Sequence, residues 1–303
     1  MIDGAAGADR SNRTAIAAGT VDHVTDTAFF VAQYRADESA RADALFHDPL
    51  AARLAGPRGK RIADARISRE VTAWLISVRT VIIDDFIRDA VAEGVDTVIN
   101  LGAGLDARPY RLELPADLRW VEADFADMIA YKESALQDER PRCRLERFAV
   151  DLSDDRKRQS FLNDVGAKSR MLLVVTEGVI PYLTNDQVAA LARDLHSLAI
   201  PQLWIADYMS KDAQDYRRRS GAEEQMRNAP FLFKPGNWFQ FFESLGWRVK
   251  RIRYLPIEGR RLGRRFPTPQ RARSWRTFLR TLFYRNARRR FATSIGYALL
   301  EPG

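Results

Sequence analysis

Residues 97–112 read Thr-Val-Ile-Asn-Leu-Gly-Ala-Gly-Leu-Asp-Ala-Arg-Pro-Tyr-Arg-Leu, and the fold turns on them. The β-branched run Val95 to Leu101 has the length and composition of a buried parallel strand. It stops at Gly102, and Gly104 follows two residues later. Glycines there allow a tight turn and a close approach of ligand to backbone. A helix is expected near Ala107, its positive end facing whatever sits over the loop.

Working upstream, residues 68–93 form a strong helix candidate. Ser68 is the expected N-cap, Val71, Trp74, Leu75, Val78, Ile82, Phe86 and Val91 recur at helical spacing, and Gly94 closes the helix. Residues 20–56 read as helical with a break at His47-Asp48-Pro49, and 57–61, Pro-Arg-Gly-Lys-Arg, as a loop. Downstream, strand candidates at 118–124, 144–150, 171–177, 202–208, 247–255 and 293–300 alternate with helices at 125–138, 153–165 and 185–199. That alternation predicts an α/β fold, a mostly parallel sheet covered on both faces. The long polar segment before the last strand makes an antiparallel closing strand the expectation.

Parallel sheets bind ligands beyond the carboxyl ends of their strands. Here each of the first five ends carries an acid: Asp106 in the loop after the first, then Asp124, Asp151, Glu177 and Asp207. Asp106 sets the loop apart from a dinucleotide turn. A carboxylate there would repel a pyrophosphate and attract an ammonium or sulfonium; the alternative is that it only caps the next helix. Asp124 lies about twenty residues on, the spacing of an acid that accepts from ribose hydroxyls, or else it is a solvated strand-end acid. Asp151 reads as an acceptor for an adenine amino group, with the following N–H on a ring nitrogen, or as the N-cap of the next helix. Glu177 is held at the sheet edge by the non-helical Gly178 and Pro181, while Tyr182 fits either the site or the core.

At this point the chain resembles a known family. The runs "VINLGAGLDARPYRL", "VEADFADMIAYKESAL", "AVDLSDD" and "LLVVTEGVIPYLTNDQVAAL" are similar, in order and spacing, to the leucine carboxyl methyltransferase family, and closest to its bacterial natural-product O-methyltransferase branch. "YRADESARADALFHDPLA" and "VRTVIIDDFI" extend the resemblance over roughly residues 30–200; beyond 210 only "FFESLGWRV" and "SIGYALL" are family-like. The resemblance implies a class I methyltransferase: a Rossmann-like seven-stranded sheet with the last strand antiparallel, forming one domain over 21–303 with lid segments at about 21–56, 209–235 and 256–291. It also implies a site for S-adenosylmethionine. Gly102, Ala103 and Gly104 would lie under its methionine and ribose portion, with Asp106 beside them. Asp124 and Phe125 would hold the ribose, and Asp151 and Leu152 the adenine. Arg79, and with a looser match Arg35, would clamp the carboxylate. Glu177 would face the ammonium and, with Tyr182, the reacting centre.

Composition narrows the rest. The chain has 303 residues, 46% of them hydrophobic, and one cysteine, Cys143, so no internal disulfide or thiolate metal cluster is expected and a reducing cytosol fits. No apolar run reaches membrane-spanning length. The first twenty residues lack the apolar centre of a secretory signal and read as a mobile tail. None of the three histidines, His23, His47 and His196, stands out as a general base, which favours a carboxylate acceptor over a hydroxyl; no metal is expected. The net charge is +8, and Gly259 to Leu300 holds twelve arginines and no acid. Within it Trp275, Phe278, Leu279, Leu282 and Phe283 predict an amphipathic basic helix, either a lid with solvated arginines or a recruiter of an anionic partner. Three functions stay open: an O-methyltransferase for a small acidic or polyketide-like metabolite, free or carrier-tethered; a methyltransferase for a protein C-terminal carboxylate or tRNA; and a non-catalytic nucleotide- or nucleic-acid-binding protein.

Overall fold

The computed structural model describes residues 24–66, 69–219, 226–267 and 285–303. The expected N-terminal tail, His23, the Ser68 cap and the amphipathic helix around 275–283 lie outside the described residues.

Seven strands form one sheet: β1 (Thr97–Leu101), β2 (Arg119–Asp124), β3 (Arg144–Ala149), β4 (Leu172–Thr176), β5 (Gln202–Met209), β6 (Trp247–Tyr254) and β7 (Ile295–Pro302). Their order is β3-β2-β1-β4-β5-β7-β6. The first five run parallel, and β7 lies antiparallel between β5 and β6. Every expected strand is present, and the closing strand is antiparallel as read.

The period of two along each strand divides the core. Val98, Leu173, Val175, Leu203 and Ile205 face a cluster with Trp74, Val78, Ile82 and Phe86, carried by α3 (Arg69–Ala92). Ile99, Leu101, Val121, Val174 and Trp204 face the other way, onto α6 (Asp155–Gly166) and α7 (Asn185–His196). Both β1 and β4 are buried along their whole length, as their unbroken apolar runs require.

Before α3, helices α1 (Asp26–Ser39) and α2 (Ala51–Asp64) pack together over the end of β1. The expected loop at 57–61 is instead helical. Gly56 breaks the first turns with φ 55°, and the helix restarts at Pro57. Proline is well placed there, because the first turn of a helix has no use for its missing N–H. Gly59 lets α2 press on α1, since a Cβ would fall 2.4 Å from the Phe29 carbonyl oxygen.

The remaining helices are α4 (Arg108–Arg111), α5 (Ala126–Ala135), α8 (Lys211–Arg219), α9 (Trp238–Glu243), α10 (Leu255–Arg261) and α11 (Arg285–Ala292). No helix among the described residues is long and apolar enough to cross a membrane.

Candidate active site

After Leu101 the backbone turns through Gly102 (φ 65°) and Gly104 (φ 47°). A Cβ on Gly102 would lie 2.5 Å from Val179 Cγ2, so the loop after β4 closes onto this turn only because residue 102 has no side chain. The Gly104 N–H donates to Asp124 Oδ2 (2.6 Å) and the Phe125 N–H to Asp124 Oδ1 (2.7 Å). Burial raises the Asp124 pKa against those two bonds. The carboxylate keeps lone pairs for further donors.

Asp106 departs from the sequence reading. It is not an open receptor for a cation. Its carboxylate accepts from Asn100 Nδ2 (2.9 Å), the Arg108 N–H (2.9 Å) and Arg108 Nη1 (2.8 Å). Burial would raise its pKa, but Arg108 and the more distant Lys132, Arg35 and Arg111 hold it far below the ordinary value. The capping alternative is present, because the N–H it takes opens α4.

Arg108 is the hub that the sequence reading missed. It is buried, with Nε on Asp84 (2.6 Å) and Nη1 shared between Asp106 (2.8 Å) and Glu177 (2.6 Å). Arg111 binds the same Asp84 with Nη1 (2.6 Å) and Nη2 (2.8 Å). Glu177 meets Arg79 Nε at 2.9 Å on its other oxygen, an ion pair whose angle is too poor for a hydrogen bond. Three carboxylates (Asp84, Asp106, Glu177) thus face three guanidiniums (Arg79, Arg108, Arg111). Burial raises the Glu177 pKa less than Arg108 and Arg79 lower it, so the group stays ionised. Arg35 is also committed: it pairs with Asp48 (2.8 Å) and donates to the Leu105 carbonyl (2.5 Å), fastening α1 to the glycine loop.

Part of this network lines a cavity of about 940 Å³ lying over β1, β4 and β5. Arg35, Arg79, Gly102, Ala103, Gly104, Asp106, Glu177 and Tyr182 all contribute to its wall. Asp124, Phe125, Asp151 and Leu152 do not; they sit beside it at the ends of β2 and β3. There Phe125 is exposed. Asp151 takes the Ser153 N–H (2.9 Å) and hydroxyl (2.7 Å). The helix cap expected of Asp151 is instead Asp154, which accepts from the Lys157 N–H. The Leu152 N–H has no acceptor among the described residues.

Tyr182 ends a 3₁₀ turn, Ile180–Tyr182, and meets Phe231 edge-on at 5.1 Å. Burial raises its pKa despite Arg217, Arg79 and Arg66 nearby, so it remains a phenol. Further along, Asp207 Oδ1 accepts from the Tyr297 hydroxyl (2.9 Å) and Oδ2 from the Gly178 N–H (3.1 Å). Burial lifts the Asp207 carboxyl to about 6. Tyr297 faces it because the β5–β7 register sets Asp207 opposite Tyr297, a pairing invisible without the sheet. His47 is exposed and His196 packs on Trp247, both away from the cavity. Burial raises Cys143 to about 11, an unreactive thiol. No metal-binding cluster occurs among the described residues.

Sheet order and cavity place the fold among class I methyltransferases, and solved structures agree. A candidate methyltransferase from Thermobifida fusca superposes with a TM-score of 0.57 at 14% identity, covering 94% of this chain and 95% of that one. A DUF574 family protein from Streptomyces avermitilis gives 0.54 at 14% identity, over 90% and 97%.

The chain belongs to the leucine carboxyl methyltransferase family, whose profile matches residues 28–196. Similar proteins are named as candidate S-adenosyl-L-methionine-dependent methyltransferases. One from Streptomyces avermitilis is 38% identical over 176 residues, covering 54% of this chain and 62% of the relative. One from Frankia alni is 36% identical over 195 residues, covering 60% and 68%. One from Mycobacterium avium is 31% identical over 257 residues, covering 76% and 83%. The chain therefore spans less than two thirds of the Streptomyces protein's length in that match.

Proposed function

We propose that this chain is an S-adenosylmethionine-dependent O-methyltransferase acting on a small, largely apolar acceptor. The observation that carries it is the Arg79–Glu177 pair beside the glycine turn, at one end of the cavity. A guanidinium next to a carboxylate complements an amino acid, whose own carboxylate and ammonium have the reverse order. Asp124 keeps acceptor capacity for a pair of hydroxyls, and the Leu152 N–H, next to Asp151, is a donor without an acceptor among the described residues. The donor set thus suits a nucleoside joined to an amino acid, which Gly102, Ala103, Gly104 and Phe125 would help to hold. When bound, S-adenosylmethionine would supply a methyl group on a sulfonium.

The chain then has to align the acceptor oxygen and keep water out. Leu75, Ile76, Phe231, Phe233 and Trp238 give the cavity its apolar walls. A carboxylate acceptor is already ionised at neutral pH and needs no base. A hydroxyl acceptor would call on Asp207, whose carboxyl near 6 is ionised at pH 7. The relatives named as methyltransferases support the same reading.

A radiolabelled methyl-transfer assay against paired panels of apolar carboxylic acids and phenols tests it. The expected result is methyl incorporation into one panel, lost in Arg79→Ala. Absence of incorporation into either panel, together with absence of cofactor binding, would overturn the reading.

A further inference from the structure

Four arginines are buried as whole residues among the described ones: Arg35, Arg66, Arg108 and Arg158. Three meet carboxylates at 2.8 Å or less, on Asp48, Asp84 and Asp194. Arg66 meets none among the described residues. It is 8% exposed, its guanidinium lies 4.5 Å from the centre of the Phe30 ring, and Nη1 reaches only the weakly accepting sulfur of Met226 at 3.5 Å. Its Nε is buried without a hydrogen-bond partner. Burial pulls its pKa down, and only the Tyr34 and Tyr182 phenols oppose that. Burial raises both phenols, Tyr34 to about 12, so neither offers a negative charge at neutral pH.

A buried guanidinium without a counter-charge is costly to hold in place. This one lines the large cavity, among Phe30, Leu75, Ile76 and Phe231. We propose that Arg66 anchors the carboxylate of an apolar acid in this cavity. The site combines a planar five-donor fork, suited to a carboxylate, with aromatic and aliphatic walls for the rest of the molecule. Calling that acid the methyl acceptor rests on the methyl-transfer reading; the anion site itself does not.

The test uses three probes with one tail: octanoate, octanol and methyl octanoate, titrated calorimetrically into the full chain. Octanoate is expected to bind at least tenfold tighter than the two uncharged probes. Arg66→Gln is expected to weaken octanoate by about 10- to 100-fold, the worth of a charge-assisted hydrogen bond, and to leave octanol unchanged. Arg66→Lys should recover part of the loss. S-adenosylhomocysteine binding, measured on the same Arg66→Gln preparation, should stay within a factor of two of wild type, which also shows that the variant is folded. Equal affinity for octanoate and octanol, or an octanoate affinity indifferent to Arg66→Gln, overturns the proposal. If octanoate binding depends on Arg66 but the wild type takes no S-adenosylhomocysteine, the anion site stands and the methyl-transfer reading falls.

Discussion

At the glycine-turn end of the cavity, charges are matched one to one. Asp84, Asp106 and Glu177 face Arg79, Arg108 and Arg111, and Arg35 has Asp48. Around Arg66 no carboxylate among the described residues answers the guanidinium, and the walls are mostly apolar. The first end is specified by its own contacts. Among the described residues the second is short of a negative charge, which a ligand can bring. The difference suggests a division of labour: the matched end recognises a fixed group, and the unmatched end selects a variable one.

The comparison can be broken first at Arg108. Arg108→Leu strips Asp106 of its ion pair and removes one of the two cations on both Asp84 and Glu177. Losing one partner of a buried ionic network costs about 3–5 kcal/mol, so chemical denaturation should show a stability loss of that order. A loss under about 1 kcal/mol would mean the matched end is not held by its ion pairs.

A smaller effect is expected at Asp207, which also lines the cavity. Its folded pKa, near 6, lies above the ordinary 3.8. A raised carboxyl pKa favours folding most below pH 4, and that contribution fades as pH rises through 6. Relative to Asp207→Asn, the wild type should therefore lose about 1–3 kcal/mol between pH 4 and pH 7. Thermal melts across that range check it. A difference that does not change with pH would place Asp207 in solvent and remove it as a candidate base.

Much of this was legible in the sequence, for physical reasons. Strands buried along their whole length, β1 and β4, announce themselves as apolar runs, while the edge strands β3 and β6 are mixed in sequence and show through their place in the strand–helix alternation. The glycine turn and the acids at the strand ends are local features too. What was not legible depends on tertiary pairing. Asp106 looked like an open carboxylate because its neutraliser, Arg108, turns back on it only once α4 forms. Asp207 and Tyr297 are ninety residues apart and meet through the β5–β7 register. Arg66 lies between two helices in a polar stretch, and its burial comes from Phe30 and Met226.

The basic run after Gly259 is a related case. Three of its described members meet acids: Arg264 pairs with Glu38 and Asp43, Arg261 with Glu258, and Arg290 lies 3.9 Å from Asp212. The charge excess seen in the sequence is partly cancelled in space. Pro57 makes the same point for backbone: read alone it breaks a helix, and at a restart it begins one.

The central claim is that the matched end receives S-adenosylmethionine. Isothermal titration of the full chain with S-adenosylmethionine and with NAD, on wild type, Arg79→Ala and Asp124→Ala, tests it most directly. The account predicts saturable binding of S-adenosylmethionine in the micromolar range, weakened about 10- to 100-fold in each variant by loss of charge-assisted hydrogen bonds, and no binding of NAD. Tight NAD binding, or S-adenosylmethionine binding that survives both substitutions unchanged, would contradict it.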